Sequence, residues 1–398
     1  MIDTERTLLL FDIDEVLINP IGYNVAMRLA VEYFVKQMGL DFGGPTDQEI
    51  AAFHAYGMTN EWLSGAMCLA AILVEAADVQ PDRIRGSLQS TMVAFRQGGR
   101  GYSRPDFAAV AEAVYQNNAS VVHTATPVFD TLSQQTSPKL YPVLSEVLGN
   151  IRPPDAPFAA IFQQFALGSA QFSDIYDLEP ILDCDPCLAL DESALSSEVR
   201  ERLRQVLASG DYFAAIYSAR PSLPPKNLSV QELEAVDRRI YPPEAEMAAA
   251  IAGLSDLPLI GAGSMAWLAE CRGKALDSYV KPSPAQALAA IAAAISGDER
   301  TALEAAAHLV EENHIVEPLE ELAEGSTHVV VFEDSSGGIR AARQAADILR
   351  TAGTSIRVTG IGIAQDHVKR EILAETADWL APNINVGLSS ILDNLTPP

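Results

Sequence analysis

The chain has 398 residues, 48% of them hydrophobic, and a formal net charge of −26 at pH 7. Its length exceeds the usual size of one hydrophobic core, so two domains are expected, and its hydrophobic content excludes wholesale disorder. The strong negative charge repels nucleic acids and anionic membranes, which favours a protein that acts on small ligands.

The four cysteines are too few for a disulfide framework in a chain of this length. The apolar run near the N-terminus, residues 8–11, is broken by Asp12. No stretch of the sequence approaches about 18 uncharged apolar residues. We therefore expect neither a signal peptide nor a membrane span, and the cytoplasm is the simplest location.

Taken in chain order, the pattern begins with a short apolar strand at residues 7–11, which runs into the acidic tripeptide "DID". Apolar residues then recur with the spacing of amphipathic helices. The helical stretches of the first half are 23–38, 47–53, 60–77, 157–167 and 196–208. Residues 78–155 are punctuated by Gly and Pro and predict only short helical pieces.

Strands and helices alternate after Gly210. The predicted strands are 212–219, 257–263, 328–334 and 355–364, and the predicted helices are 243–253, 264–271, 284–296, 299–313 and 337–351. This alternation predicts an α/β fold with a parallel sheet between helical layers, a Rossmann-like three-layer core. In such sheets, ligands bind at the carboxyl ends of the strands.

The first strand is separated from its sheet partners by roughly 190 mostly helical residues, far more than an ordinary crossover contains. The intervening segment must therefore be a domain of its own. We predict a sheet-containing core formed by residues 1–20 and 205–398, and a mainly α-helical inserted domain at 21–204. Within the inserted domain, residues 78–155 form an unusual insert.

Polar residues with related chemistry stand at the strand ends and before the helix at 284. They are Asp12 and Asp14, Ser218 and Arg220, Lys281, and Glu333 and Asp334. By the strand-end rule they should converge on one crevice. Closely packed carboxylates need a cation among them, and their hard oxygen atoms suit Mg²⁺. A lysine and a hydroxyl in the same crevice would complement an anionic phosphoryl ligand.

These segments resemble the four motifs of the haloacid dehalogenase superfamily of phosphohydrolases. "LLLFDIDEVL" is similar to the first motif, "AIYSARP" to the second, "VKPSPAQALAA" to the third and "VVVFEDSSGGIRAARQAA" to the fourth. The helical segment between the first two motifs is similar to the C1 cap of subfamily I. The resemblance implies a Rossmann-like core with an inserted helical cap.

The resemblance also implies a role for each motif residue. Asp12 would be the nucleophile that forms an aspartyl-phosphate, and Asp14 the general acid/base. Ser218 and Lys281 would bind the phosphoryl group. The ligands of Mg²⁺ would be Asp12, the backbone carbonyl of Asp14, Glu333 and Asp334.

Some residues have two interpretations. Glu15 occupies a position where close relatives most often have Gly. Arg220 either binds substrate or forms a structural ion pair. Tyr23 and Asn24 follow the catalytic turn, so their side chains could face the crevice and bind substrate. The stretch 83–104 contains five arginines and no acidic residue, and is either a solvated face or a loop that recognises an anionic part of the substrate.

The sequence thus predicts a Mg²⁺-dependent phosphatase that cleaves a phosphate monoester of a small metabolite. The resemblance favours phosphate-ester chemistry over dehalogenation, because dehalogenases of the superfamily usually lack an aspartate at the position of Asp14. A phosphomutase of the same superfamily is one alternative, and a non-catalytic module that binds phosphorylated ligands is another. The identity of the phosphate ester and the oligomeric state are left open.

Overall fold

The computed structural model describes residues 5–99, 101–118 and 124–393. The chain divides into two compact units. The sheet unit comprises the described parts of Met1–Pro20 and Asp191–Pro398, and the helical unit those of Ile21–Leu190. The first strand and the remainder of its sheet are therefore interrupted by an inserted helical unit.

All strands of the described residues belong to the sheet unit. Their bounds are β1 Arg6–Phe11, β2 Ile18–Asn19, β3 Glu192–Ser193, β4 Tyr212–Tyr217, β5 Leu259–Ile260, β6 Ser326–Glu333, β7 Ser355–Ile363 and β8 Trp379–Ala381. Six of them form one sheet in the order β5–β4–β1–β6–β7–β8, and every neighbouring pair in it is parallel. β2 and β3 form a separate antiparallel pair.

The helices are divided between the two units. The helical unit contains α1 Gly22–Gln37, α2 Asp47–Ala55, α3 Glu61–Val79, α4 Leu88–Gln97, α5 Phe107–Asn118, α6 Thr126–Ser133, α7 Tyr141–Leu148, α8 Pro157–Leu167 and α9 Ser169–Tyr176. The sheet unit contains α10 Ser197–Ser209, α11 Val230–Ala235, α12 Glu244–Ala252, α13 Ala262–Arg272, α14 Pro284–Ser296, α15 Glu299–Glu312, α16 Ser336–Thr351, α17 His367–Ala374 and α18 Ile384–Leu392.

The register of β1 aligns the carboxyl ends of the central strands. Phe11 is paired with Ile216 of β4 on one side and with Phe332 of β6 on the other. The backbone N–H of Asp12 then donates to the carbonyl of Phe332 at 3.0 Å. The residues that follow these strands therefore emerge at the same edge of the sheet, as parallel pairing requires.

The two faces of β1 enter two different hydrophobic clusters, because successive side chains on a strand point in opposite directions. Leu8 and Leu10 pack with residues of α13–α16, whereas Leu9 and Phe11 pack with residues of α10, α12 and α18. All four side chains are fully buried, and each such burial stabilises the fold by about 2 kcal/mol. This arrangement is the predicted three-layer α/β core.

The segment 191–204 lies in the sheet unit, although its sequence pattern predicts a place in the helical insert. The backbone N–H of Ala194 donates to the carbonyl of Leu17 at 2.9 Å. Leu195 and Leu203 are buried in the cluster that covers one face of the sheet. The helical pattern of 196–208 was therefore predicted in the right place, but its apolar stripe packs against the sheet.

The predicted strand at 257–263 contains only the two-residue β5, and several elements near the C-terminus are not signalled by the sequence pattern. β8 has three residues, too few for any alternation to be visible. α17 and α18 have eight and nine residues, little more than two turns each. Short elements like these are held by packing rather than by their own propensity.

α3 is long and apolar enough to cross a membrane by length and composition. In the protein, however, 78% of its most apolar window is buried, as expected for the core helix of a globular unit. Gly65 of α3 lies directly against the ring of Phe158 on α8, where an added Cβ would stand 2.1 Å from the ring carbons. Most of its apolar surface is thus covered by protein.

Arginines of the stretch 83–104 make contacts within the helical unit. Arg104 donates two hydrogen bonds to the carboxylate of Glu49, at 2.9 and 2.5 Å. Although burial alone raises the pKa of Glu49, Arg104 and backbone donors lower it to about 2. Arg83 and Arg85 donate to backbone carbonyls, and Arg100 lies outside the described residues. These contacts favour a structural role for Arg83, Arg85 and Arg104.

Glu246 of α12 has a largely buried carboxyl group whose ionisation should affect the stability of the protein. Its Oε1 accepts a hydrogen bond from the N–H of Leu223 at 3.0 Å, and its buried Oε2 has no hydrogen-bond partner among the described residues. Burial raises the pKa of Glu246 from its ordinary 4.5 to about 7. A raised acid pKa favours the folded state at low pH, and this contribution is lost as the pH rises from about 4.5 through about 7.

Replacing Glu246 by glutamine should therefore stabilise the protein at pH 8 by about 2 kcal/mol, because no charge is then forced into the buried site. The difference should vanish near pH 4, where the wild-type carboxyl is already protonated. Urea denaturation at both pH values measures it. As a control, Glu201→Gln at an exposed position should change the stability little at either pH. If Glu246→Gln stabilised the protein equally at both pH values, the ionisation of the buried carboxyl would not be the cause.

Candidate active site

The ammonium of Lys281 joins the ends of three neighbouring strands. Its Nζ donates to Asp12 Oδ1 after β1 at 2.9 Å, to the carbonyl oxygen of Tyr217 at the end of β4 at 2.9 Å, and to Glu333 Oε1 at the end of β6 at 2.6 Å. It also lies 3.7 Å from the ring centroid of Tyr217, a cation–π contact. Lys281 comes from the loop before α14, so four separate chain segments meet at this nitrogen.

Burial and neighbouring charge act against each other at this centre. Burial on its own lowers the pKa of Lys281, but the carboxylates of Asp12 and Glu333 outweigh it and raise that pKa. Burial raises the pKa of Asp12 well above its usual value, Lys281 opposes the shift, and the carboxylates of Glu333, Asp334 and Asp14 add to it. The negative charge of Asp12 therefore depends on nearby cations.

Glu333 is fully buried and held by the start of α16. Its Oε2 accepts hydrogen bonds from the N–H of Ser335 at 3.3 Å and from its hydroxyl at 2.8 Å. Gly338 leaves the necessary space, since an added Cβ there would lie 1.7 Å from Glu333 Oε1. The hydroxyl of Tyr217 donates to the carbonyl of Gly338 at 3.2 Å, so helix and strands hold each other in place.

Gln286 fixes the backbone around Lys281 and Ser218. Its Oε1 accepts from the N–H of Lys281 at 3.2 Å, and its Nε2 donates to the carbonyls of Ser218 at 2.8 Å and Ile260 at 3.0 Å. Ser218 itself is fully buried, and its hydroxyl oxygen accepts from the N–H of Arg220 at 3.2 Å. Gln286 was not predicted, although an amide within an alanine-rich buried helix is a recognisable signal.

Asp14 is held by Arg220. The guanidinium Nε lies 3.0 Å from both carboxylate oxygens of Asp14, and Nη2 lies 2.6 Å from Oδ1. Nη2 also donates to Asp191 Oδ2 at 3.2 Å. The side chains of Arg220 and Asp191 are buried, whereas that of Asp14 is 34% exposed. Of the two interpretations of Arg220, the structure therefore supports the ion pair, and it adds Asp191, which was not predicted.

Carboxylate oxygens of Asp12, Glu333 and Asp334 lie within 4.8 Å of one another. Three carboxylates at this spacing, two of them buried, form a hard oxygen donor set that fits Mg²⁺. The side chain of Asp14 is turned to Arg220 and is not part of this group. Its backbone carbonyl remains the predicted fourth donor from the protein.

Asp334 also contacts a lysine that was not predicted. Lys369 of α17 donates to Asp334 Oδ2 at 2.6 Å and to Glu15 Oε2 at 2.7 Å. Burial raises the pKa of Asp334 to about 6; Lys369 opposes this shift, whereas Glu333 and Glu15 contribute to it. Nothing in the sequence pattern links Lys369 to Asp334, which is 35 residues away along the chain.

Tyr23 and Asn24 lie in the first turn of α1, in the helical unit. The ring of Tyr23 stacks on that of Phe162, with centroids 6.2 Å apart. A role for Tyr23 and Asn24 in binding substrate stays a prediction.

No family model matches the chain, and no curated protein matches it in sequence. Among solved structures, it is similar to the X-ray structure of Northeast Structural Genomics Consortium target ZR25, with a TM-score of 0.63, 13% identity and coverage of 97% of this chain and 98% of that one. At this identity the likeness shows the fold alone. The strand order and the parallel pairing fit the Rossmann-like core that the sequence predicts.

A second similar structure is the phosphatase Tt82 from Thermococcus thioreducens, with a TM-score of 0.42, 13% identity and coverage of 97% of this chain and 99% of that one. This likeness is too low to bear on the fold or the activity of the present chain.

Proposed function

We propose that this protein is a Mg²⁺-dependent phosphohydrolase of the haloacid dehalogenase superfamily, with the helical unit as its C1-type cap. It cleaves a phosphate monoester of a small metabolite through an aspartyl-phosphate. The observation that carries the proposal is the ammonium of Lys281, which bonds both Asp12 and Glu333 at the ends of adjacent strands. A buried carboxylate beside a fixed cation is suited to attack an anionic phosphoryl group.

In the first half of the reaction, a carboxylate oxygen of Asp12 attacks phosphorus, and the bond to the ester oxygen breaks. Asp14 in its protonated form gives its proton to the departing alkoxide, so the alcohol leaves neutral. Lys281 balances the charge of Asp12 and of the incoming phosphoryl group. Asp12, Glu333, Asp334 and the backbone carbonyl of Asp14 would hold Mg²⁺, and the ion would supply positive charge to the phosphoryl oxygens.

In the second half, water attacks the phosphorus of the aspartyl-phosphate. Asp14, now a carboxylate, accepts a proton from that water, and the bond between phosphorus and Asp12 breaks to release inorganic phosphate. Arg220 and Asp191 would act as positioning residues, since Arg220 bonds both Asp14 and Asp191 and neither residue takes part in proton transfer. The same carboxyl group thus serves as acid and then as base.

The substrate would be a small phosphorylated metabolite. The hydroxyl of Ser218 and the ammonium of Lys281 would contact its phosphoryl group, and Tyr23 and Asn24 would contact the remainder. A net charge of −26 disfavours nucleic acids and anionic membranes as partners. We place this activity in the cytoplasm.

The test is a panel of phosphate esters assayed for inorganic phosphate with Mg²⁺ and with excess EDTA. We expect release that requires Mg²⁺ and is absent from Asp12→Asn. An isomeric sugar phosphate without free phosphate would instead indicate a phosphomutase. Tight binding of phosphate esters without turnover would indicate a binding module.

A further inference from the structure

Lys369 is a third cation at the edge of the candidate metal site, and it belongs to none of the four motif segments. It lies in the first turn of α17, where its backbone N–H donates to Asp366 Oδ1, the cap of that helix, at 3.0 Å. The cap fixes the direction in which the side chain leaves the helix. Its Nζ reaches Asp334 Oδ2 at 2.6 Å, and the side chain is 27% exposed.

Glu15 is the second partner of this ammonium. Its backbone has φ of +57°, a left-handed conformation that costs a residue with a side chain about 1 kcal/mol. Its carboxylate is half exposed, yet it lies 2.7 Å from Lys369 Nζ. The turn after β1 is thus connected to α17 and to Asp334 through one ammonium group.

A divalent cation at Asp12, Glu333 and Asp334 would have to share Asp334 with Lys369. Two cations on one carboxylate repel each other, and the repulsion is large where solvent is partly excluded. Asp334 is also the member of the three-carboxylate group that Lys281 is not seen to bond, since Lys281 holds Asp12 and Glu333. Lys369 therefore occupies the side of the site that would otherwise carry uncompensated negative charge.

We propose that Lys369 is a tethered cation that competes with Mg²⁺ for Asp334, and that it thereby weakens the affinity of the site for the metal and stabilises the metal-free protein. Glu15 supports the metal by drawing part of the charge of Lys369 away from Asp334. This inference rests on the proposed function, because it takes Mg²⁺ as the metal of the site.

The two residues should shift metal affinity in opposite directions. Lys369→Met should tighten Mg²⁺ binding by about tenfold, since it removes one positive charge next to the ion. Glu15→Gln should weaken binding several-fold. Isothermal titration calorimetry with Mg²⁺ measures both, and the melting temperature without metal should fall in Lys369→Met and recover on addition of Mg²⁺.

Two control variants show whether the effect of Lys369→Met comes from the lost positive charge or from the altered side chain. Lys369→Arg keeps the charge and should bind Mg²⁺ nearly as the wild type does, whereas Lys274→Met removes an exposed lysine of the same unit and should leave binding unchanged. Weaker or unaltered Mg²⁺ binding by Lys369→Met would overturn the competition. Absence of any Mg²⁺ binding by the wild type and by Lys369→Met would instead count against the proposed use of Mg²⁺.

Discussion

Asp12→Asn is expected to lower the rate of phosphate release by about 10⁴-fold or more, because the proposed nucleophile is lost and the remaining groups can only bind and polarise the substrate. The asparagine has the same shape, and its amide oxygen can still accept the hydrogen bond from Lys281 that Asp12 accepts at 2.9 Å. The fold should therefore persist. Steady-state release of phosphate and the melting temperature, measured on the same preparation, separate these two effects.

Asp14→Asn tests the proposed general acid/base, whereas Asp12→Asn tests the proposed nucleophile. With Asp12 intact, this variant either fails to turn over or accumulates the phosphoenzyme, because no group accepts the proton of the hydrolytic water. Acid quenching with a ³²P-labelled ester detects the covalent species. Asp347→Asn, at an exposed position of α16, should have full activity. Full activity in Asp12→Asn would remove Asp12 from the role of nucleophile.

The convergence of the strand ends is a consequence of parallel pairing, so it could be predicted from the sequence. Once β1 is placed between β4 and β6, the polar residues that follow each strand must emerge at the same edge of the sheet. Asp12 follows β1, and Glu333 is the last residue of β6. Lys281 lies before a helix rather than at a strand end; it was predicted in the same crevice, and the resemblance of its motif implies the same place.

The partners that hold these side chains could not be predicted in the same way. Asp191 and Lys369 approach the site from segments whose local pattern carries no information about tertiary contact. Asp191 stands at the point where the chain returns from the helical unit, and Lys369 lies on an eight-residue helix. A charged residue is ordinarily solvated, so a sequence alone does not distinguish those two from other surface charges.

Ion pairs between lysine or arginine and carboxylate side chains allow several charged groups of the site to be buried. Arg220 with Asp14 and Asp191, Lys281 with Asp12 and Glu333, and Lys369 with Asp334 and Glu15 are three cations, each shared by two carboxylates. Counted with every group ionised, each group of three has one excess negative charge. A divalent cation and a phosphoryl dianion would meet an arrangement that is already short of positive charge, which favours binding the metal before the substrate.

Lys281→Met should have two large effects, one on activity and one on stability. Activity should fall by about 10³-fold, because the cation that we propose to face the phosphoryl group is lost. In the absence of metal at pH 8, the free energy of unfolding should fall by about 3–5 kcal/mol, since two buried carboxylates lose their shared counter-ion. Urea denaturation with and without Mg²⁺ measures the second effect.

The loss of stability in Lys281→Met should be smaller at low pH, and it should be smaller when the substitution keeps the positive charge. Burial raises the pKa of Asp12, so the protein with Lys281→Met can recover part of its stability by protonating this carboxyl as the pH falls from 8 to 5. Lys281→Arg keeps the charge and should be destabilised less, while Lys36→Met, at an exposed position of the helical unit, should be neutral. If Lys281→Met were as stable as the wild type at pH 8 without metal, the ammonium would not be the group that holds the strand ends together.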